Sequence, residues 1–193
     1  MGVFGNTFGQ DETGRSILDL ITTPNAIAGL QLYYNSENVV EVSGGVDQLT
    51  DLSGNNRHML APLAINRPTV VANTLNGLPT ILFNGTDHRL KFTGTTFTAP
   101  LTIYFVLIPN TSANTRGYFG RSVSGPYFVT PLNFNATGSL SYNSKPYDIT
   151  LPYLITIKYS AGASEMYVNG KLTTATLSAL TWSGVLLGAY AEN

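Results

Sequence analysis

The stretch that decides the fold is Ser164-Glu165-Met166-Tyr167-Val168-Asn169-Gly170-Lys171-Leu172-Thr173-Thr174-Ala175. Two strand-like runs flank the dipeptide Asn169-Gly170. A two-residue type I′ turn needs positive φ at both central positions, which Asn and Gly tolerate best, so the stretch predicts a β-hairpin. Upstream, Tyr153–Tyr159 (YLITIKY) is a further strand-like run.

Working outward, the same grammar recurs. Strand-like runs are Gly29–Asn35, Pro79–Asn84, Arg89–Thr93, Leu101–Ile108, Tyr127–Thr130, Ser139–Tyr142 and Val185–Gly188. Gly, Pro, Asn and Ser clusters separate them, as in a sandwich or barrel. Residues 1–10 read as an arm. Residues 11–22 (DETGRSILDLIT) are the best helix candidate: acidic residues open it, apolar residues share a face, and Pro24 ends it. The expected fold is all-β, a two-sheet antiparallel jelly-roll sandwich with a short N-terminal helix. Residues 1–27 form the arm and helix, and 28–193 one sandwich domain.

Composition narrows the function. Charged residues are 11% of 193 residues, against about 25% in an average domain. With 10 basic and 11 acidic residues and no basic run, the electrostatic footprint of a nucleic-acid binder is missing. The absence of cysteine removes disulfides and thiolate chemistry. No apolar run reaches the roughly 18 residues of a membrane span, and the N-terminus lacks the pattern of a secretory signal.

Several segments, in order, resemble the concanavalin-like (laminin-G-like) jelly-roll family found in phage and bacterial surface proteins. They are Leu30-Gln31-Leu32-Tyr33-Tyr34-Asn35; Val46-Asp47-Gln48-Leu49-Thr50-Asp51-Leu52-Ser53-Gly54-Asn55-Asn56-Arg57-His58; Arg67-Pro68-Thr69 followed by Asn76-Gly77-Leu78-Pro79 through Asn84-Gly85-Thr86-Asp87-His88 to Leu90; the apolar run Leu101–Ile108; and Ser164-Glu165-Met166-Tyr167-Val168-Asn169-Gly170-Lys171. The resemblance covers about residues 28 to 188. It departs at Asn84 and His88, where the family carries carboxylates, and at the C-terminus, where a further strand would follow Gly188. That departure leaves three expectations: the N-terminal arm folds back onto the open edge, a neighbouring subunit donates a strand, or the chain is a fragment of a longer one.

Glycosidases on this fold need two carboxyl groups facing one another, and no two glutamates here stand at alternate positions of a strong strand. The chain is therefore expected to be no enzyme. The leading expectation is a non-catalytic bacteriophage virion structural protein of tail, baseplate or head decoration, located on a virion or extracellular surface. Its partners would be other virion or surface proteins, further copies of itself and a cell-surface glycan. The alternatives are a bacterial carbohydrate-binding module or adhesin and, from another class, a glycan hydrolase. Aromatic rings that could stack on sugars are Tyr127, Tyr142, Tyr147 and Trp182, with Tyr153 and Tyr190 also beside turns; core and rim packing is the bland alternative for each. Asp51 and Asp87, with Asn55 and Asn84, offer the hard oxygens that calcium accepts, or they cap turns through their own backbone. The remaining candidates, His58 and His88, fit no catalytic pattern, and His58 is expected to be structural.

Overall fold

The computed structural model describes residues 24, 27–109, 117–120, 127–129, 133–135, 139–141, 150–160, 164–173 and 182–188, and the structural statements below concern these. The expected arm and helix of residues 1–22 lie outside them, as do Tyr142, Tyr147 and Tyr190.

The chain is an antiparallel β-sandwich of jelly-roll type. Its strands in chain order are β1 Val39–Val42, β2 Gly45–Leu49, β3 Met59–Leu60, β4 Thr69–Leu75, β5 Leu78–Leu82, β6 Leu90–Phe97, β7 Leu101–Leu107, β8 Gly117–Gly120, β9 Tyr127–Val129, β10 Asn133–Asn135, β11 Ser139–Ser141, β12 Tyr153–Tyr159, β13 Glu165–Val168, β14 Lys171–Thr173 and β15 Trp182–Leu187. One sheet has the order β1-β2-β3-β6-β15-β8-β9-β10-β11, the second β14-β13-β12-β7, and β4-β5 stand as a separate hairpin.

Alternation makes the second sheet two-faced, because successive side chains of a strand point to opposite sides. On β12, Tyr153, Ile155, Ile157 and Tyr159 are buried, while Leu154 and Lys158 are exposed. On β7, Leu101, Ile103, Phe105 and Leu107 turn toward the core, and Thr102, Tyr104 and Val106 turn away. The facing sheet contributes Val46, Leu49, Met59, Leu90, Phe119 and Val185 to one apolar cluster with the inner residues of β12 and β13. Phe105 stacks on Phe119 across the gap, ring centroids 5.3 Å apart, so the two sheets meet through an aromatic pair as well as aliphatic packing.

Turn chemistry closes the hairpins. Asn169 and Gly170 have φ of 51° and 77°, and Val168 pairs with Lys171, as the type I′ reading requires. The same device appears at Ser43-Gly44 between β1 and β2, and at Asn76-Gly77 between β4 and β5. The Asn169 side chain also fastens its turn to the start of β12, its Oδ1 accepting the N–H of Leu154 at 2.8 Å. Gly184 lies at φ 62° in the β15 bulge opposite β6.

The expected strand at Gly29–Asn35 is corrected: no ladder forms there. Side chains of the 51–57 loop satisfy that backbone instead. Asp51 accepts the N–H of Tyr33, and Ser53, Asn55 and Arg57 donate to the carbonyl of Gln31. Glu41 lies in β1, where it pairs with Val46.

Candidate functional site

Two loops carry the polar residues that the sequence singled out. In the first, Asp51 is 6% exposed. Its Oδ1 accepts the N–H groups of Tyr33 (3.1 Å) and Ser53 (3.0 Å), and its Oδ2 accepts the Ser53 hydroxyl (2.8 Å) and the Arg57 N–H (2.9 Å). A carboxylate offers about four lone-pair directions, and three donors from the loop and one from Tyr33 occupy them. Burial alone would raise the Asp51 pKa, but the bonds from Arg57, Ser53 and Tyr33 outweigh it and hold the carboxyl below its ordinary range. Beside it, Tyr34 donates its hydroxyl to the Arg57 carbonyl. Burial pushes that phenol far above its usual range, and the charge of Asp51 adds to the shift.

His58 Nδ1 accepts the Asp51 N–H at 3.1 Å, which is the structural role expected of it. The second loop repeats the arrangement. Asn84 Oδ1 accepts the N–H groups of Thr86, Asp87 and His88, and His88 Nδ1 accepts the Asn84 N–H at 3.3 Å. The backbone of Asp87 is held from both sides: its N–H donates to Asn84, and its carbonyl accepts the buried Asn66 amide at 2.8 Å. The two loops are thus organised by separate hydrogen-bond networks. Among the described residues no group of three or more His, Cys, Asp or Glu side chains converges on one point.

Of the expected sugar-stacking aromatics, the strands place the backbone of two. Tyr127 opens β9 opposite Gly120 and Asn135, and Trp182 opens β15 opposite Phe97. Tyr142 and Tyr147 lie outside the described residues. Tyr153 is a core residue, 7% exposed, because it shares the inward parity of Ile155 and Ile157.

A different set of residues gathers on the outer face of the four-stranded sheet. The register aligns Tyr104 of β7 with Thr156 of β12, and Thr156 with Tyr167 of β13. Tyr104 is 65% exposed. One pair along, Lys158 stands opposite Glu165. The Tyr167 hydroxyl donates to Glu165 Oε2 at 2.8 Å. The Lys158 ammonium lies 3.5 Å from that same oxygen, 3.5 Å from the Tyr167 hydroxyl and 4.9 Å from its ring centre. The bond to Tyr167, its electrostatic field and the charge of Glu165 hold the ammonium above the ordinary lysine range. The outer face therefore presents one open aromatic ring and, across the neighbouring strand, a preformed cluster of ammonium, phenol and carboxylate. Sequence reasoning missed it by searching turn-rich stretches for aromatics. The available signal was parity, since Tyr104 is offset by one from Ile103 and Phe105, and Tyr167 from Met166 and Val168.

No helix among the described residues is long and apolar enough to cross a membrane. No family model matches the chain, and no curated protein matches it. Among solved structures the chain is similar to an alginate lyase of polysaccharide lyase family 7, at 14% identity and a TM-score of 0.34, over 83% of this chain and 74% of that one. Two expectations are corrected by this finding. They are the bacteriophage virion structural role and the expectation that the chain is no enzyme; the protein found is named a lyase.

Proposed function

We propose that the protein engages a polysaccharide on the outer face of the four-stranded sheet. The observation that carries the reading is the exposed ring of Tyr104 on the same face as the Lys158–Tyr167–Glu165 cluster. Sugar rings present apolar C–H faces edged by hydroxyls. An exposed tyrosine offers an apolar face with a polar tip, and charged donors and acceptors make stronger hydrogen bonds to hydroxyls than neutral ones do. The resemblance to concanavalin-like domains supports the same reading, since that fold carries both glycan-binding and glycan-cleaving proteins.

The test is retention on a panel of immobilised polysaccharides, comparing the parent chain with Tyr104→Ala and Lys158→Met. Both positions are exposed, so circular dichroism and melting temperature should stay unchanged. Retention should fall about tenfold or more in each variant, a loss of about 1.4 kcal/mol. Undiminished retention in both would remove the outer face from the function.

A second reading, cleavage of the bound chain, is favoured by one observation: a phenol in hydrogen-bond contact with both a carboxylate and an ammonium. Such a group can exchange a proton with a reacting substrate when geometry permits. Release of reducing ends, lost in Tyr167→Phe while retention persists, is the expected signature. Equal release by the variant would exclude Tyr167 from that role.

A further inference from the structure

We infer that the chain taken by this face is a neutral polysaccharide lying across the strands, with one sugar stacked on Tyr104 and another hydrogen-bonded at Lys158 and Glu165. This rests on the reading of the face as a glycan site and specifies what that site accepts.

Direction comes from register. Along β7, the outward neighbours of Tyr104 are Thr102 and Val106, which offer no second ring and no charge. Across the strands, Tyr104 aligns with Thr156 and then with Tyr167. Tyr104 and Tyr167 are therefore two inter-strand spacings apart, about 10 Å. That separation spans two sugar units of an extended chain. The small, half-buried Thr156 between them leaves the path across β12 low. A ligand running along one strand would meet only one of the two features.

Charge sets the class of sugar. Lys158 and Glu165 are the charged side chains among the described outward positions of β7, β12 and β13, and they lie 3.5 Å apart with opposite signs. A ring bearing neighbouring hydroxyls can use both, one hydroxyl accepting from the ammonium and the next donating to the carboxylate. A uronate has only acceptors to offer at its carboxylate. It would have to displace Glu165 from Lys158 and then face that like charge at close range. The lysine also covers one face of the Tyr167 ring, which leaves Tyr104 as the stacking surface and the cluster as a polar reader.

The experiment is calorimetric titration of the full chain with linear neutral β-linked gluco- and manno-oligosaccharides of increasing length, and with oligomers of a polyuronate, at low and high salt. Neutral oligomers should bind with a step of about tenfold once they are long enough to span both features. Their affinity should hardly change with salt, since no net charge is paired. Tyr104→Ala should abolish the step, and Glu165→Gln should weaken the longer oligomers alone. Tighter, salt-sensitive polyuronate binding that still needs Tyr104 would overturn the neutral-chain inference and leave the glycan face standing. A smooth rise with length and no step would overturn the crossing geometry. Binding to neither class, or binding indifferent to Tyr104→Ala, would overturn the reading of the face itself.

Discussion

The imidazole of His58 and the carboxylate of Asp51 close one loop reciprocally: His58 Nδ1 accepts the N–H of Asp51 at 3.1 Å, and Asp51 Oδ2 accepts the N–H of Arg57, the residue before His58, at 2.9 Å. Asn84 and His88, four positions apart, form a second clasp of the same kind. In both, side chains do for a loop what a ladder does for a strand. The first clasp also anchors the segment 30–35 through Tyr33 and Gln31.

Asp51→Asn should therefore destabilise the fold by about 2–3 kcal/mol, because an amide turns two acceptor directions into donors that face the Ser53 hydroxyl and the Arg57 N–H. Urea unfolding is the measurement. A change below about 0.5 kcal/mol, the size of an ordinary surface substitution, would mean that the loop holds without the carboxylate.

The same carboxyl gives a pH dependence of definite sign. Its folded pKa lies below the ordinary value of 3.8. A depressed carboxylate pKa contributes stability that is fully present above the unfolded value and is lost as pH falls through the folded one. Stability measured between about pH 5 and pH 2 should fall less steeply in Asp51→Asn than in the parent. Parallel curves would place the acid sensitivity elsewhere.

At position 58 only an acceptor at the Nδ1 site is needed. His58→Asn should keep most of the stability, since its Oδ1 can occupy that site. His58→Leu leaves the Asp51 N–H unpaired and should cost about 1–3 kcal/mol. Equal melting temperatures for the two variants would refute an acceptor role.

Gly188 stands at φ 84°. A Cβ there would overlap Phe83 Cδ1 and lie 2.6 Å from the His88 carbonyl oxygen. Gly188→Ala should destabilise by about 3 kcal/mol or more, adding overlap to left-handed strain. Phe83→Ala in the same chain should recover only part, because the backbone carbonyl remains. Full recovery would show that the ring alone sets the constraint.

Much of this architecture can be read from residue order, and the exceptions have causes. Asn169-Gly170 announces its hairpin because few other pairs adopt positive φ twice in succession. Tyr153–Tyr159 announces a strand through its β-branched and aromatic content. Leu30–Asn35 shares the aromatic part of that content in Tyr33 and Tyr34, yet its partners are the Asp51, Ser53, Asn55 and Arg57 side chains, and composition does not say whether an extended backbone finds a ladder or a loop. Thr69–Leu75 escapes notice for the opposite reason, with Asn73 and Thr74 breaking an otherwise apolar run. The outer-face cluster depends on three strands meeting in one register. Lys158 and Glu165 become neighbours only when β12 pairs with β13, and Tyr104 joins them only when β7 pairs with β12.

The turns at 76–77 and 169–170 also set a clock on the protein. In an Asn-Gly pair the glycine amide nitrogen can attack the asparagine side chain and expel ammonia, and water then opens the resulting succinimide to an acidic residue, so such pairs are places where the chain ages chemically. A third such pair, Asn84-Gly85, has its side-chain oxygen held by the N–H groups of Thr86, Asp87 and His88, and the two hairpin turns differ in restraint. Asn169 is tied to Leu154 through both its backbone and its Oδ1 and must release that side-chain bond before its carbon can meet the Gly170 nitrogen. Asn76 stands exposed at the tip of the β4–β5 hairpin. Stored samples should gain negative charge first at the tip of β4–β5, far along the chain from the tyrosines of the outer face.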